Sequence, residues 1–139
     1  MPYDPMLVKP MRDEMVMMGA EELLTPDEVA SFLDRAHGVT LLFFNSVDDC
    51  AAESARPGLA LSLQHSPVPA LIGTVFAGQN RDATALAQSC FSQFEPSSPS
   101  IIILNDAEAV EYIPRSRLEG RDPRVVSEML IKLYEKLMD

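Results

Sequence analysis

The sequence predicts an α/β fold in which a central sheet is covered by helices on both faces, and three observations predict it. The run "VTLLFFNS", 39–46, is too uniformly apolar for a half-exposed strand and suits one buried on both sides. Two further apolar runs, "ALIGTVFAG" and "IIILN", have the same character. Segments with helical punctuation separate these runs, as a layered α/β architecture requires.

Taken in order, the chain opens with a helix beginning near Pro5, where Asp4 can cap and proline suits the first turn. Leu7, Met11, Met15 and Met18 form an apolar stripe expected to pack in the core, and Lys9-Pro10 is expected to delay or bend the helix. "TPDEVASFLDRAHG" is the best-punctuated helix. Thr25 caps it, Pro26 takes the first position, and Glu28 completes a capping box by reaching back to the cap amide. Val29, Phe32, Leu33 and Ala36 face inward, and Gly38 suits the stop.

After the first strand and an acidic loop, Ala51 to about Gln64 is helical in pattern, with Leu59, Leu61 and Leu63 apolar. Pro57 is expected to remove a backbone donor and bend it unless it lies in the first turn. "RDATALAQSCF" follows the second strand as a helix, capped by Asp82, with Leu86 and Cys90 on one face. The Pro/Ser loop "EPSSPS" leads into the third strand. "NDAE" then turns the chain so that "AVEYIP" pairs back as a hairpin. Asp122 and Pro123 begin a closing helix with Val126, Leu130, Leu133 and Leu137 inward. Two helices followed by β-α-β-α-β-β-α is the thioredoxin arrangement, with the first two strands parallel and adjacent by the right-handed crossover rule. Its 139 residues suit a single domain over 1–139.

Composition narrows the function classes. A formal net charge of −10 speaks against a nucleic-acid groove and against attraction to anionic membranes. No apolar run reaches the roughly 18 residues of a membrane span. The first residues lack a basic flank followed by an apolar core, so cytoplasm is the expected compartment. The two cysteines, Cys50 and Cys90, form neither a secreted disulfide framework nor a zinc-type spacing. Adjacent carboxylates such as Asp48 and Asp49 can bind hard cations, but no spacing supplies the further oxygen ligands, so neither metal nor cofactor is expected. Solvated surface positions are expected for His37 and His65, and core packing for Cys90.

The stretch "NSVDDCAA" remains: a strand delivers a cysteine through an acidic turn to the start of a helix. "NSVDDCAAESARP", "TVFAGQNRDATA", "EPSSPSI" and "EYIPRSRLEG" resemble, in order and spacing, segments of the bacilliredoxin family, as do "PMRDEM" and "EELLTPDEV". The resemblance covers nearly the whole chain. It implies a thioredoxin-like fold and thiol–disulfide exchange. The partners implied are protein mixed disulfides and a small thiol such as bacillithiol. Members have also been described as thiol–disulfide isomerases. The family's motif is Cys-Gly-Cys after "NSV", its first cysteine being the attacking thiol. Carried over, that position is Asp48, the glycine is Asp49 and the second cysteine is Cys50. Pro99 matches the proline that is cis in thioredoxin-like folds, where the preceding residue, Ser98, presents backbone to an extended disulfide partner.

Whether Cys50 works alone is a question of its thiolate. A helix N-terminus is worth about 0.3–1 kcal/mol to an anion. Each neighbouring carboxylate opposes it by about 1.4 kcal/mol at about 6 Å and an effective dielectric of about 40. The expectation is a sluggish thiol, partly covered by the turn. Arg115 and Arg117 can attract an anionic thiol ligand or form an ordinary charged turn. A cysteine in the opposite helical layer is out of disulfide reach, so Cys50 and Cys90 are not expected to pair. Two readings stay open: single-thiol exchange through Cys50, or a non-catalytic binding protein on the same scaffold.

Overall fold

In the computed structural model, residues 2–138 are described. One five-stranded sheet runs in the order β1-β3-β2-β4-β5, with β1 Glu21–Glu22, β2 Val39–Asn45, β3 Leu71–Phe76, β4 Ser100–Asn105 and β5 Glu108–Ile113. Strands β1 and β2 flank β3 in parallel, β4 runs antiparallel to β2, and β5 antiparallel to β4. The expected thioredoxin-like arrangement is present. The one added strand is β1, two acidic residues at the sheet edge that carry no apolar signal.

Every residue of β2 is buried, and its alternation explains why. Leu41 and Phe43 enter one core with Leu59, Ile101, Ile103, Val126 and Leu130. Leu42 and Phe44 enter the other with Val29, Phe32, Ala87, Ile102 and Leu104. Each such large side chain contributes about 1.5–3 kcal/mol through burial. One layer is built on α3 Arg56–Ser62 and α6 Pro123–Met138, the other on α2 Pro26–Asp34 and α4 Arg81–Cys90. Gly73 in β3 follows from this packing: a Cβ there would lie 2.6 Å from the Phe32 ring.

Helix α1, Pro5–Met17, starts where expected and runs through Pro10 without a late start. Its buried residues are Val8 and Met15, while Leu7 is exposed, so the inward stripe is rotated from the expected one. In α2 the Thr25 cap holds, but Glu28 Oε1 accepts from the Leu24 amide at 2.7 Å rather than from Thr25. The α2 helix ends at Asp34, and Gly38, with φ +71°, instead serves the entry to β2.

The segment after the acidic loop begins as a π-helical turn, Ala51–Ala55, before α3. Pro57 sits in the first turn of α3, where its missing donor is tolerated. Helix α4 is preceded by Asn80, not capped by Asp82, and Cys90 at its end is exposed rather than in the core. The β4–β5 turn places Asp106 and Ala107 at positive φ, as a tight hairpin requires. A short helix, α5 Arg115–Leu118, had no separate signal. The closing helix buries Tyr134 alongside Val126 and Leu130. Among the described residues no helix is long and apolar enough to cross a membrane.

Candidate functional site

The site lies where β2 hands the chain to the π-helical turn. The Asp48 carboxylate faces back into that turn: Oδ1 accepts from the Ala51 amide at 3.1 Å, and Oδ2 from the Ser46 hydroxyl at 3.0 Å. Asp48 thus satisfies one amide at the helical start, as a capping carboxylate does. Oδ2 also accepts from Arg115 Nη1 at 2.5 Å. Its oxygens are therefore committed to protein donors. Burial pushes the Asp48 carboxyl up, but the Ala51 amide, Arg115 and Ser46 together hold it below the usual carboxylate value. Asp49 projects exposed at the rim.

Cys50 is 6% exposed and belongs to the core on the α3–α6 side of the sheet. Burial raises its thiol pKa above the ordinary value, Asp48 and Glu119 add to the rise, and Arg115 opposes them. The cover expected from the turn is present, and burial rather than carboxylate repulsion is the largest cause of the raised thiol pKa. Cys90 stands on the opposite helical layer, and both cysteines are free.

The Ser98–Pro99 peptide bond is cis, as expected for this loop. Pro99 is buried, and the Ser98 carbonyl accepts from Arg115 Nη1 at 3.1 Å. One guanidinium therefore joins the thiol-bearing turn to the loop before β4. The Arg115 amide donates to Ser97 Oγ at 3.1 Å, and the Ser97 hydroxyl donates to Tyr112, whose own hydroxyl donates to Glu95. Of the two arginines singled out by sequence, Arg115 is in the site, whereas Arg117 pairs with Glu111 on the exposed side. His37 and His65 are exposed and outside it.

An open cleft in front of Cys50 is lined by the carboxylates of Asp48, Asp49, Glu53, Glu119 and Asp122 and by the guanidiniums of Arg115 and Arg121. Among the described residues, no group of three or more His, Cys, Asp and Glu is placed to hold a metal ion.

Sequence reading missed Arg56, which supports the site from beneath. It is 2% exposed. Nε donates to Glu14 on α1 at 2.9 Å, and Nη1 donates to Asn45 Oδ1 at 2.8 Å and to the Ser46 carbonyl at 2.9 Å. Asn45 in turn donates to the Met11 carbonyl. The single signal available was a charged residue at the start of the mostly apolar stretch "RPGLAL". A charge at such a place is buried only when paired.

Comparison with known proteins gives the family. The family model described as disulphide isomerase matches residues 3–138. A bacilliredoxin of Symbiobacterium thermophilum is 48% identical over 125 residues, covering 90% of this chain and 89% of its own length. One from Shouchella clausii is 42% identical over 134 residues, covering 96% and 92%. A bacilliredoxin of Cytophaga hutchinsonii is 38% identical over 135 residues, covering 97% and 99%. The fold, the thiol-bearing turn and these matches along nearly the full described length lead to one assignment: this chain belongs to the bacilliredoxin (disulphide isomerase) family, whose role is thiol–disulfide redox chemistry.

Proposed function

We propose that the chain exchanges thiols with mixed disulfides between proteins and a small thiol such as bacillithiol, with Cys50 as its sole site thiol. The observation that supports this best is the placement of Cys50 at an open cleft lined by Arg115, whose guanidinium ties the Cys50 turn to the Ser98 carbonyl beside Pro99. On the family resemblance, Asp48 stands where the attacking cysteine is expected. The Cys50 thiolate then attacks one sulfur of the mixed disulfide. The old S–S bond breaks, a new one forms to Cys50, and the departing thiolate takes up a proton. With no second thiol in reach, a small thiol from solution attacks the Cys50 disulfide and restores the free cysteine. No net oxidation occurs on the protein.

A second reading, a non-catalytic binding protein, is favoured by the burial and raised pKa of Cys50. Intact-mass analysis of reduced protein after brief exposure to bacillithiol disulfide, with peptide mapping, separates the two. Single-thiol exchange requires an adduct on Cys50 that excess bacillithiol reverses. If Cys50 stays unmodified while a small control thiol reacts, single-thiol exchange is wrong. Asp48→Cys is then the companion variant: exchange that appears only there means a working scaffold whose attacking thiol has been lost.

A further inference from the structure

Arg115 makes contacts that no ordinary surface arginine makes. Its Nη1 atom donates at once to Asp48 Oδ2 in the thiol-bearing turn and to the Ser98 carbonyl in the loop before β4. Its own amide donates to Ser97. These partners lie 67, 17 and 18 residues away in sequence, so the residue is a junction of three separate chain segments. Among the described residues, no other hydrogen bond joins the turn to the loop. The same guanidinium is, among the described residues, the cation whose field favours the Cys50 thiolate against burial, Asp48 and Glu119.

Building on the exchange reading above, we propose that Arg115 is a positioning residue of this site, fixing the Pro99 loop at a set distance from the Cys50 turn so that a docked disulfide meets the sulfur in line. Exchange needs the attacking and attacked sulfurs brought to about 3–3.5 Å in the right direction, and a misplacement of about 1 Å costs about 100-fold. A disulfide held by the loop and a sulfur held by the turn can meet that demand only if the two are fixed to each other. Asp48 has a share in this. Standing at the position the family gives to its attacking cysteine, its carboxylate anchors Arg115 while capping the helical turn.

The test compares Arg115→Gln and Arg115→Lys with the natural chain against two reagents. One is a peptide–thionitrobenzoate mixed disulfide, which must dock before it reacts. The other is iodoacetamide, which has nothing to dock. Rates at Cys50 are followed across pH. The charged groups facing the sulfur besides Arg115 are Asp48, Asp49, Glu53, Glu119, Arg121 and Asp122, and all are kept. Glutamine removes the favouring cation, so the pH midpoint for both reagents moves upward. Its limiting rate at high pH falls at least tenfold for the disulfide but not for iodoacetamide. Lysine keeps the charge and leaves the midpoint near the natural value, yet its ammonium stands one bond short of the Nη1 position that reaches both acceptors, and it loses limiting disulfide rate as glutamine does. A role confined to holding the fold gives the opposite pattern, with faster alkylation and an unchanged ratio between reagents, and overturns the proposal. Natural exchange with an unchanged glutamine variant overturns it alone. Absence of exchange in the natural chain overturns it together with the reading it rests on.

Discussion

Replacing Arg56 tests the account of the buried network beneath the site. Arg56→Ala removes the donors to the Ser46 carbonyl and to Asn45 Oδ1. Asn45 Oδ1 keeps the Ser46 amide at 2.9 Å, so it is not orphaned. The Ser46 carbonyl is buried and loses its partner, at about 1–3 kcal/mol. Two methylenes of the stem also leave the core, at about 0.8 kcal/mol each. Glu14 has a side chain 40% exposed and regains water, which limits its penalty. The expected loss is about 3 kcal/mol. Arg56→Met keeps the stem and is expected to lose about half as much. Glu14→Gln, which still accepts a hydrogen bond, should lose less than about 1 kcal/mol. Urea unfolding followed by circular dichroism measures all three, and an unchanged slope confirms that the unfolded state is not the cause. A loss below about 1 kcal/mol for Arg56→Ala, or methionine worse than alanine, refutes the reasoning.

Two further perturbations read other parts of the core. Thr40 is fully buried in β2 with no partner for Oγ1, so Thr40→Val is expected to raise stability by about 1 kcal/mol in the same urea assay. Tyr134 donates to Ser62 Oγ at 2.9 Å, since the Ser62 hydroxyl is given to Leu59. Burial pushes its phenol up to about 12. Because the folded value lies above the unfolded one, near 10, this stabilisation is complete below the unfolded value and is lost as pH rises through the folded one. By pH of about 11.5 the natural chain should lose about 2 kcal/mol that Tyr134→Phe does not lose. Unfolding midpoints for the pair at pH of about 9 and about 11.5 check it, and parallel losses would count against the burial argument.

The elements most legible in the sequence were those whose residues serve one purpose. β2 reads as buried because Leu41 and Phe43 feed one core while Leu42 and Phe44 feed the other. The Thr25–Pro26–Glu28 cap is likewise a local device, and its single departure is which amide Glu28 reaches. Where tertiary packing decides, the pattern misleads. Leu7 and Met15 share the periodic stripe, yet α1 is rotated to bury Val8 and leave Leu7 in solvent. Cys90 and Leu86 share a helical spacing, but the helix ends there and Cys90 is exposed. In the site, the strand-to-helix turn drew attention to Cys50, and the family resemblance pointed to Asp48, Asp49 and the loop of Ser98 and Pro99. The sequence named Arg115 together with Arg117, as an anion-attracting pair or an ordinary charged turn, and gave no role to Arg56. Arg56 and Arg115 act through partners between 10 and 67 residues distant, and such pairings leave no local periodicity to read.

The cleft in front of Cys50 carries three more carboxylates than guanidiniums. That excess acts on approach as well as on chemistry, because like charges slow encounter and opposite charges hasten it. A small thiol or disulfide of net negative charge enters against this field, and a mixed disulfide flanked by lysine or arginine enters with it. With a screening length of about 8 Å at physiological ionic strength, the bias is felt mainly at the mouth of the cleft and fades as salt rises. Added salt should therefore quicken the anionic partner and slow the cationic one. On the exchange reading proposed above, the rim sorts partners by arrival rate, giving disulfides on basic surfaces first access to the buried Cys50.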